Sequence, residues 1–218
     1  SKLVIPDMVC EVHSPAEPLP APARRVIDMA SSTDMKASAL GDTAQRYGLV
    51  TRVLHWSIAA LILLQLAGMV LKLLFGRDSF AAPLLGLHQP MGTALFVLIV
   101  IRLVWSFANR ANRPPYAHGL MGQAARLGHW ALNLLMLIVP TVALIRAWGS
   151  TRVFAPFGFE IFPARETAIE WTATLGGALH GELGWVMAVL ILGHALMAIL
   201  HEMLWRDGTL ARMAGRRV

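Results

Sequence analysis

The chain has 218 residues, of which 56% are hydrophobic and only 15% charged. A soluble domain of this size is about one-quarter charged, so the composition excludes an ordinary water-soluble globule, and the apolar content excludes a disordered chain. The formal net charge is +6. No basic-aromatic stripe suits nucleic acid, and in so apolar a chain basic residues at segment ends set membrane orientation.

In chain order, residues 1–45 come first. Pro6, Pro15, Pro18, Pro20 and Pro22 crowd this stretch, which has no apolar run and therefore no secretory h-region. It reads as a flexible tail. Met29-Ala30-Ser31-Ser32 resembles a natural start, so residues 1–28 are expected to be an upstream extension without a role in the core. Cys10 is the single cysteine and can form neither an internal disulfide nor a cysteine-based metal or redox motif.

Four windows free of Asp, Glu, Lys and Arg follow: Val53–Leu71, Ser79–Ile101, Leu127–Ile145 and Leu183–His201. Crossing about 30 Å of hydrocarbon takes roughly 20 helical residues. Helices satisfy every backbone group internally, and no alternating ten-residue pattern suggests a barrel. A soluble bundle would carry a polar stripe on each helix, and these windows have almost none. The expected fold is an all-α membrane protein, a four-helix transmembrane bundle over residues 46–213, with a basic tail at 214–218. The second helix is expected to start near His88, with Gln89 and Pro90 in its first turn, because Pro83 and Gly86 precede it. The third contains Pro140, which should bend it. The fourth should begin near Ile169 or Trp171 and continue to Trp205. Lys72 and Arg102 lie near helix ends, where their stems reach the interface.

Fourteen Lys and Arg residues fall before the first helix, between the second and third, or after the fourth; five fall on the other side. Both termini should therefore be cytoplasmic.

Histidines carry the chemistry. Of eight, His13 and His118 lie in polar segments, while His55, His88, His129, His180, His194 and His201 lie in or beside the apolar windows. Ionisable groups in a membrane are rare and mark function, and neutral imidazole is the commonest metal ligand. His180 and His194 stand 14 residues apart on one helix. That interval is within about 40° of whole turns and rises about 21 Å, so both rings share a face, one near each membrane surface. Depth matching then pairs His88 with His180 on the outer side and His55 with His194 on the inner side. Each pair suits a planar porphyrin held by two axial imidazoles between helices. Zinc or copper would need ligands converging on one ion within about 2.0–2.3 Å, which two separated pairs do not offer. Gly92, Gly177, Gly181, Gly184 and Gly193 lie near these histidines and permit close approach of a helix or a flat ring. His129 competes with His55 for the inner group, or serves beside it or on the quinone side. Arg52 and Arg126 are candidates to pair with haem propionates, and His201 to touch a propionate or substrate. A histidine-bearing transporter is disfavoured, because Asp78, Glu182 and Glu202 all lie outside the charge-free windows.

The pattern resembles the prokaryotic cytochrome b561 family of four-helix di-haem membrane proteins. The resemblance covers about Arg46 to Met213. It rests on Arg46-Tyr47 with Leu54-His55-Trp56, on His88 with Gly92, and on Arg126-Leu127-Gly128-His129 with Pro140. The most specific stretch is His180-Gly181-Glu182-Leu183-Gly184 with His194, His201 and Trp205-Arg206-Asp207-Gly208-Thr209-Leu210. The resemblance implies two haem b groups with His55, His88, His180 and His194 as axial ligands in the same pairing. It also implies a bacterial inner-membrane location and electron exchange with the quinone pool, ubiquinone above all, with superoxide as the donor in some members. The alternative is a membrane cytochrome b that anchors or relays electrons for a partner dehydrogenase or hydrogenase. The proline-rich tail is atypical, and Trp105 stands where relatives often carry a basic residue. The outer loop, Ala147–Leu175, mixes Arg152 and Arg165 with Glu160, Glu166 and Glu170, whereas a site that attracts superoxide should be electropositive.

Overall fold

A computed structural model describes residues 39–77 and 82–216. The expected extension at 1–28 and most of the proline-rich stretch lie outside the described residues. Four long helices dominate: α1 (Leu49–Phe75), α2 (Ala82–Ala108), α3 (Gly119–Trp148) and α4 (Glu170–Leu200). A 3₁₀ turn, Arg110–Asn112, follows α2; a π-helical turn, His201–Trp205, extends α4; and a short helix, α5 (Thr209–Ala214), ends the described chain. Among the described residues there is no strand, only an isolated antiparallel bridge between Phe154 and Phe162. Each long helix is long and apolar enough to cross a membrane. At about 1.5 Å per residue, the 27 residues of α1 or α2 exceed the hydrocarbon thickness, so their ends reach the interface or the helices tilt.

The second helix departs from expectation. α2 begins at Ala82, well before His88, and Pro90 lies inside it. Pro83 already occupies the first turn, where a missing N–H costs nothing, and Pro90 forgoes only the bond to the Gly86 carbonyl. α3 likewise runs on through Pro140. There the Thr141 hydroxyl donates to the Leu137 carbonyl at 2.6 Å, giving the backbone beside the proline a side-chain partner.

Helix packing is uneven. α1 packs on α2 and α3 on α4, while α2 also meets α3; α4 does not pack closely on α1 or α2. The core is one apolar layer: Ile58 and Ile62 from α1, Leu95 and Ile99 from α2, Leu132 and Met136 from α3, Met187 from α4. Large side chains such as Leu73, Leu127, Val189 and Leu192 stay exposed on the helix surfaces, as lipid-facing residues do, because lipid tails are as apolar as leucine.

One end of the bundle gathers the start of α1, the α2–α3 connection and α5. Asp42, buried, accepts the Gly48 N–H on Oδ1 at 2.9 Å and the Arg113 Nε–H on Oδ2 at 3.1 Å. Arg113 also donates to Ser106 at 2.6 Å, and the Trp105 indole donates to Thr51 at 2.9 Å. The buried charge is thus paired and hydrogen-bonded, the condition under which it is tolerated. Burial raises the Tyr47 phenol above its ordinary value, against the opposing effect of nearby Arg113.

Ile99 is fully buried, whereas Val97 is half exposed on the same helix. Ile99→Ala should cost on the order of 2 kcal/mol through the cavity it leaves, lowering the thermal midpoint of the detergent-solubilised protein. Val97→Ala should leave that midpoint in place.

Candidate functional site

The first site lies toward the end of the bundle that holds the α3–α4 loop. The rings of His88 on α2 and His180 on α4 face each other with centroids 6.0 Å apart and planes at 88°. They line a cavity of about 980 Å³ with residues from all four long helices, including Ile62, Gly92, Val139, Gly181 and Gly184. A Cβ added at Gly181 or Gly184 would meet nothing within 4 Å, and one at Gly92 would meet only Gln65 Nε2, at 3.1 Å. The glycines therefore leave open space beside the two rings.

Hydrogen bonding orients one ring. His180 Nδ1 lies 3.0 Å from the Val139 carbonyl. A carbonyl only accepts, so Nδ1 is the donor in this contact, and in the neutral ring Nε2 is the nitrogen with a free lone pair. Metal-binding histidines are oriented in this way, the second nitrogen donating to a carbonyl or carboxylate. On the other side, the Gln65 amide donates to the His88 carbonyl at 2.9 Å. His88 Nδ1 is buried without a hydrogen-bond partner among the described residues, a buried polar atom with room for a ligand beside it.

The second site lies toward the opposite end. His55 on α1 and His194 on α4 have centroids 6.3 Å apart with planes at 66°. His129 on α3 stands closer to His194, at 5.3 Å, and its Nδ1 is 3.2 Å from the Tyr116 hydroxyl. The Trp56 ring meets His55 edge-on at 5.2 Å. Nearby, Arg102 donates to Asn133 Oδ1 at 2.7 Å.

Among the described residues, no three His, Cys, Asp or Glu side chains converge to hold an ion. A zinc centre draws three or four ligands from the protein. Two-imidazole sets suit a metal whose remaining ligands arrive with a cofactor. Two imidazoles on opposite sides of one ion, each bonded at about 2.0 Å, stand with ring centres roughly 6 Å apart, and both pairs have that spacing.

The other sequence candidates are dispersed. Arg52 Nη1 donates to the Ala214 carbonyl at 3.0 Å, while its Nε is buried without a partner among the described residues. Arg126 stands over the Tyr116 ring, 5.5 Å from its centre. His201, in the π-helical turn, bonds through Nδ1 to Asp207 Oδ2 at 2.6 Å. Burial pushes the Asp207 carboxyl up, but hydrogen bonds from Thr209 and His201 outweigh it and hold the group below its ordinary value. Sequence reasoning does not single out Gln65 or the Val139 carbonyl. A lone glutamine in a charge-free window is a signal for the first; a backbone acceptor leaves none.

Residues 46–216 match the family described as prokaryotic cytochrome b561. The chain belongs to the prokaryotic cytochrome b561 family. It is 30% identical to cytochrome b561 homolog 2 of Escherichia coli K12 over 177 residues, covering 80% of this chain and 94% of that protein. It is 25% identical to the probable superoxide oxidase CybB of Yersinia pestis, over 79% of this chain and 98% of the relative. It is also 27% identical to cytochrome b561 homolog 1 of E. coli K12, over 75% and 94%. The chain is thus a membrane electron-transfer protein of a haem b family, and the donor chemistry, ring spacing and glycine-lined cavity fit that group.

Gly181→Leu adds a side chain where the protein has no atom to clash with, inside the cavity. The variant should fold but retain less haem b, read as a lower haem-to-protein ratio at unchanged helix content.

Proposed function

We propose that the protein carries electrons across the bacterial inner membrane between two b-type haems, one near each face, and passes them to the quinone pool, with ubiquinone as acceptor. In this reading His88 and His180 hold the outer haem, His55 and His194 hold the inner one, and both termini face the cytoplasm. The observation that carries it is the geometry of α4. His180 and His194 lie 14 residues apart, and each stands near 6 Å from a single ring of the first helical hairpin, at 6.0 and 6.3 Å.

When bound, a b-type haem supplies a one-electron Fe(III)/Fe(II) couple. The chain fixes where that couple sits. The Val139 carbonyl holds His180 in the tautomer that presents Nε2, and Gln65 ties the His88 backbone to α1. With an imidazole from each of two helices holding the group, His88 with His180 and His55 with His194, the chemistry it would supply is electron transfer rather than oxygen activation. Ile62, Ile99, Met136 and Met187 form an apolar layer that floors the outer cavity on the side of the second pair.

Superoxide is the proposed donor. Two superoxide anions release two electrons and become two molecules of oxygen; one quinone takes both electrons with two protons and becomes a quinol. CybB, described as a probable superoxide oxidase, supports this choice. So does the wall of the outer cavity, which carries Lys72 and Arg77 and offsets the mixed charge of the loop beyond it.

The wild-type protein should bind two haems per chain with a b-type reduced-minus-oxidised spectrum. His180→Ala should lose one haem and His194→Ala the other, counted by haem extraction against protein mass. Loss of neither defeats the assignment. Purified wild-type protein should form quinol from superoxide; a stoichiometric dehydrogenase that co-purifies from native membranes, with no such turnover, would favour the relay role instead.

A further inference from the structure

Arg146 lies in the last turn of α3, where the helix dipole alone suffices to favour a basic residue. Its side chain takes a path that the dipole does not require. The stem lies across the bare backbone of α4 at Gly176, which is buried. A Cβ built on Gly176 would stand 2.6 Å from Arg146 Cβ and 2.7 Å from its Cδ, so a side chain there would have to part α3 from α4 as well as shift the arm. Gly176 and His180 are four residues apart on one helix and therefore share a face, one turn from each other. Arg146 also lines the cavity that His88 and His180 line. Its guanidinium has no hydrogen-bond or ion-pair partner among the described residues, unlike Arg165 nearby, which donates to the Trp148 carbonyl at 2.8 Å.

We infer that Arg146 is a carboxylate-binding arm of the outer cavity, held in place by the absent side chain of Gly176, and that its ligand is a propionate of the porphyrin bound between His88 and His180. The inference rests on the proposed outer haem site. A guanidinium is a fork matched to a carboxylate. Arg146, in the last turn of α3, meets α4 one turn from His180 toward the α3–α4 loop, where the chain leaves the apolar part of the bundle. Lys72 lines the same cavity from α1 and adds positive charge without that forked geometry.

A cation beside the group favours the reduced state, which carries one more electron. The test is an optical redox titration of the purified full-length protein with both haems bound, the outer one identified as the component missing from His180→Ala. Arg146→Gln should lower the midpoint potential of that component and leave the other unmoved. Arg146→Lys should restore part of the shift. Gly176→Ala keeps the charge but forces the arm and its helix away from α4, and should move the same potential in the same direction. In protein reconstituted with haem dimethyl ester, whose propionates carry no charge for the guanidinium to pair with, Arg146→Gln should no longer weaken retention of the outer group, whereas it should weaken retention of haem b. Equal weakening for haem b and its dimethyl ester would mean that the arm serves a free anion and would overturn the inference. Unmoved potentials in both Arg146→Gln and Gly176→Ala, with two haems bound, would overturn it alone. A wild-type chain that binds no haem would overturn the underlying reading together with it.

Discussion

The interval between His180 and His194 governs what the other helices must do. Fourteen residues of α4 carry the two rings about 21 Å apart on one face. No single helix can answer both at close range unless it repeats the same spacing. The chain uses an antiparallel hairpin instead. His55 is the seventh residue of α1 and His88 the seventh of α2. Because the two helices run in opposite directions, equal depth from each start becomes opposite depth in the bilayer. One ring thus meets each end of α4. The core residue Met187 stands seven residues from both of its histidines, so the apolar layer falls midway between the sites.

A histidine in hydrocarbon needs each ring nitrogen accounted for, since nothing outside the protein will satisfy it. The two ends of the bundle do this differently. At the loop end a backbone carbonyl takes the His180 proton, and the His88 Nδ1 is left bare. At the other end the partners are side chains: Tyr116 on His129 and Asn133 on the neighbouring Arg102. Two environments for chemically similar pairs give two means of tuning, since hydrogen bonding and burial around an axial imidazole set the potential of what it binds.

Much of this is legible in the order of residues, because the two strongest signals are local. A charge-free window of bilayer length points to a spanning helix by itself, and the spacing of His180 and His194 needs only the pitch of one helix. The pairing of His55 with His194 and of His88 with His180 follows from depth. What stays hidden depends on how one helix is rotated against another. Gln65 reaches the His88 carbonyl across the hairpin, and Arg146 crosses α4 at Gly176; neither contact has a periodicity to announce it. The start of α2 misleads for a local reason. Pro83 and Gly86 look like a break before His88, yet the proline occupies a first turn and the glycine lies within the helix at no evident cost, so the helix begins at Ala82. The tail-end contacts of Arg52 and Trp56 with the carbonyls of Ala214 and Met213 join segments more than 150 residues apart, beyond any local pattern.

α3 supplies no member of either matched pair, yet the arrangement depends on it. α4 packs on α3 and not closely on α1 or α2, so α3 is the main support for the rotation that turns the two histidines toward the first hairpin. The gap left between α4 and that hairpin is the room a flat cofactor needs; closer packing would have filled it with side chains. The same helix bonds His180 through Val139 and brings His129 to His194. At 5.3 Å that last contact is tighter than the spacing of two imidazoles on opposite sides of one ion, whereas His55 at 6.3 Å has it. His129 is therefore better placed to press on the edge of His194 than to share a metal with it. With its proton or lone pair engaged by Tyr116, it would set the orientation of the His194 ring much as the Val139 carbonyl sets that of His180.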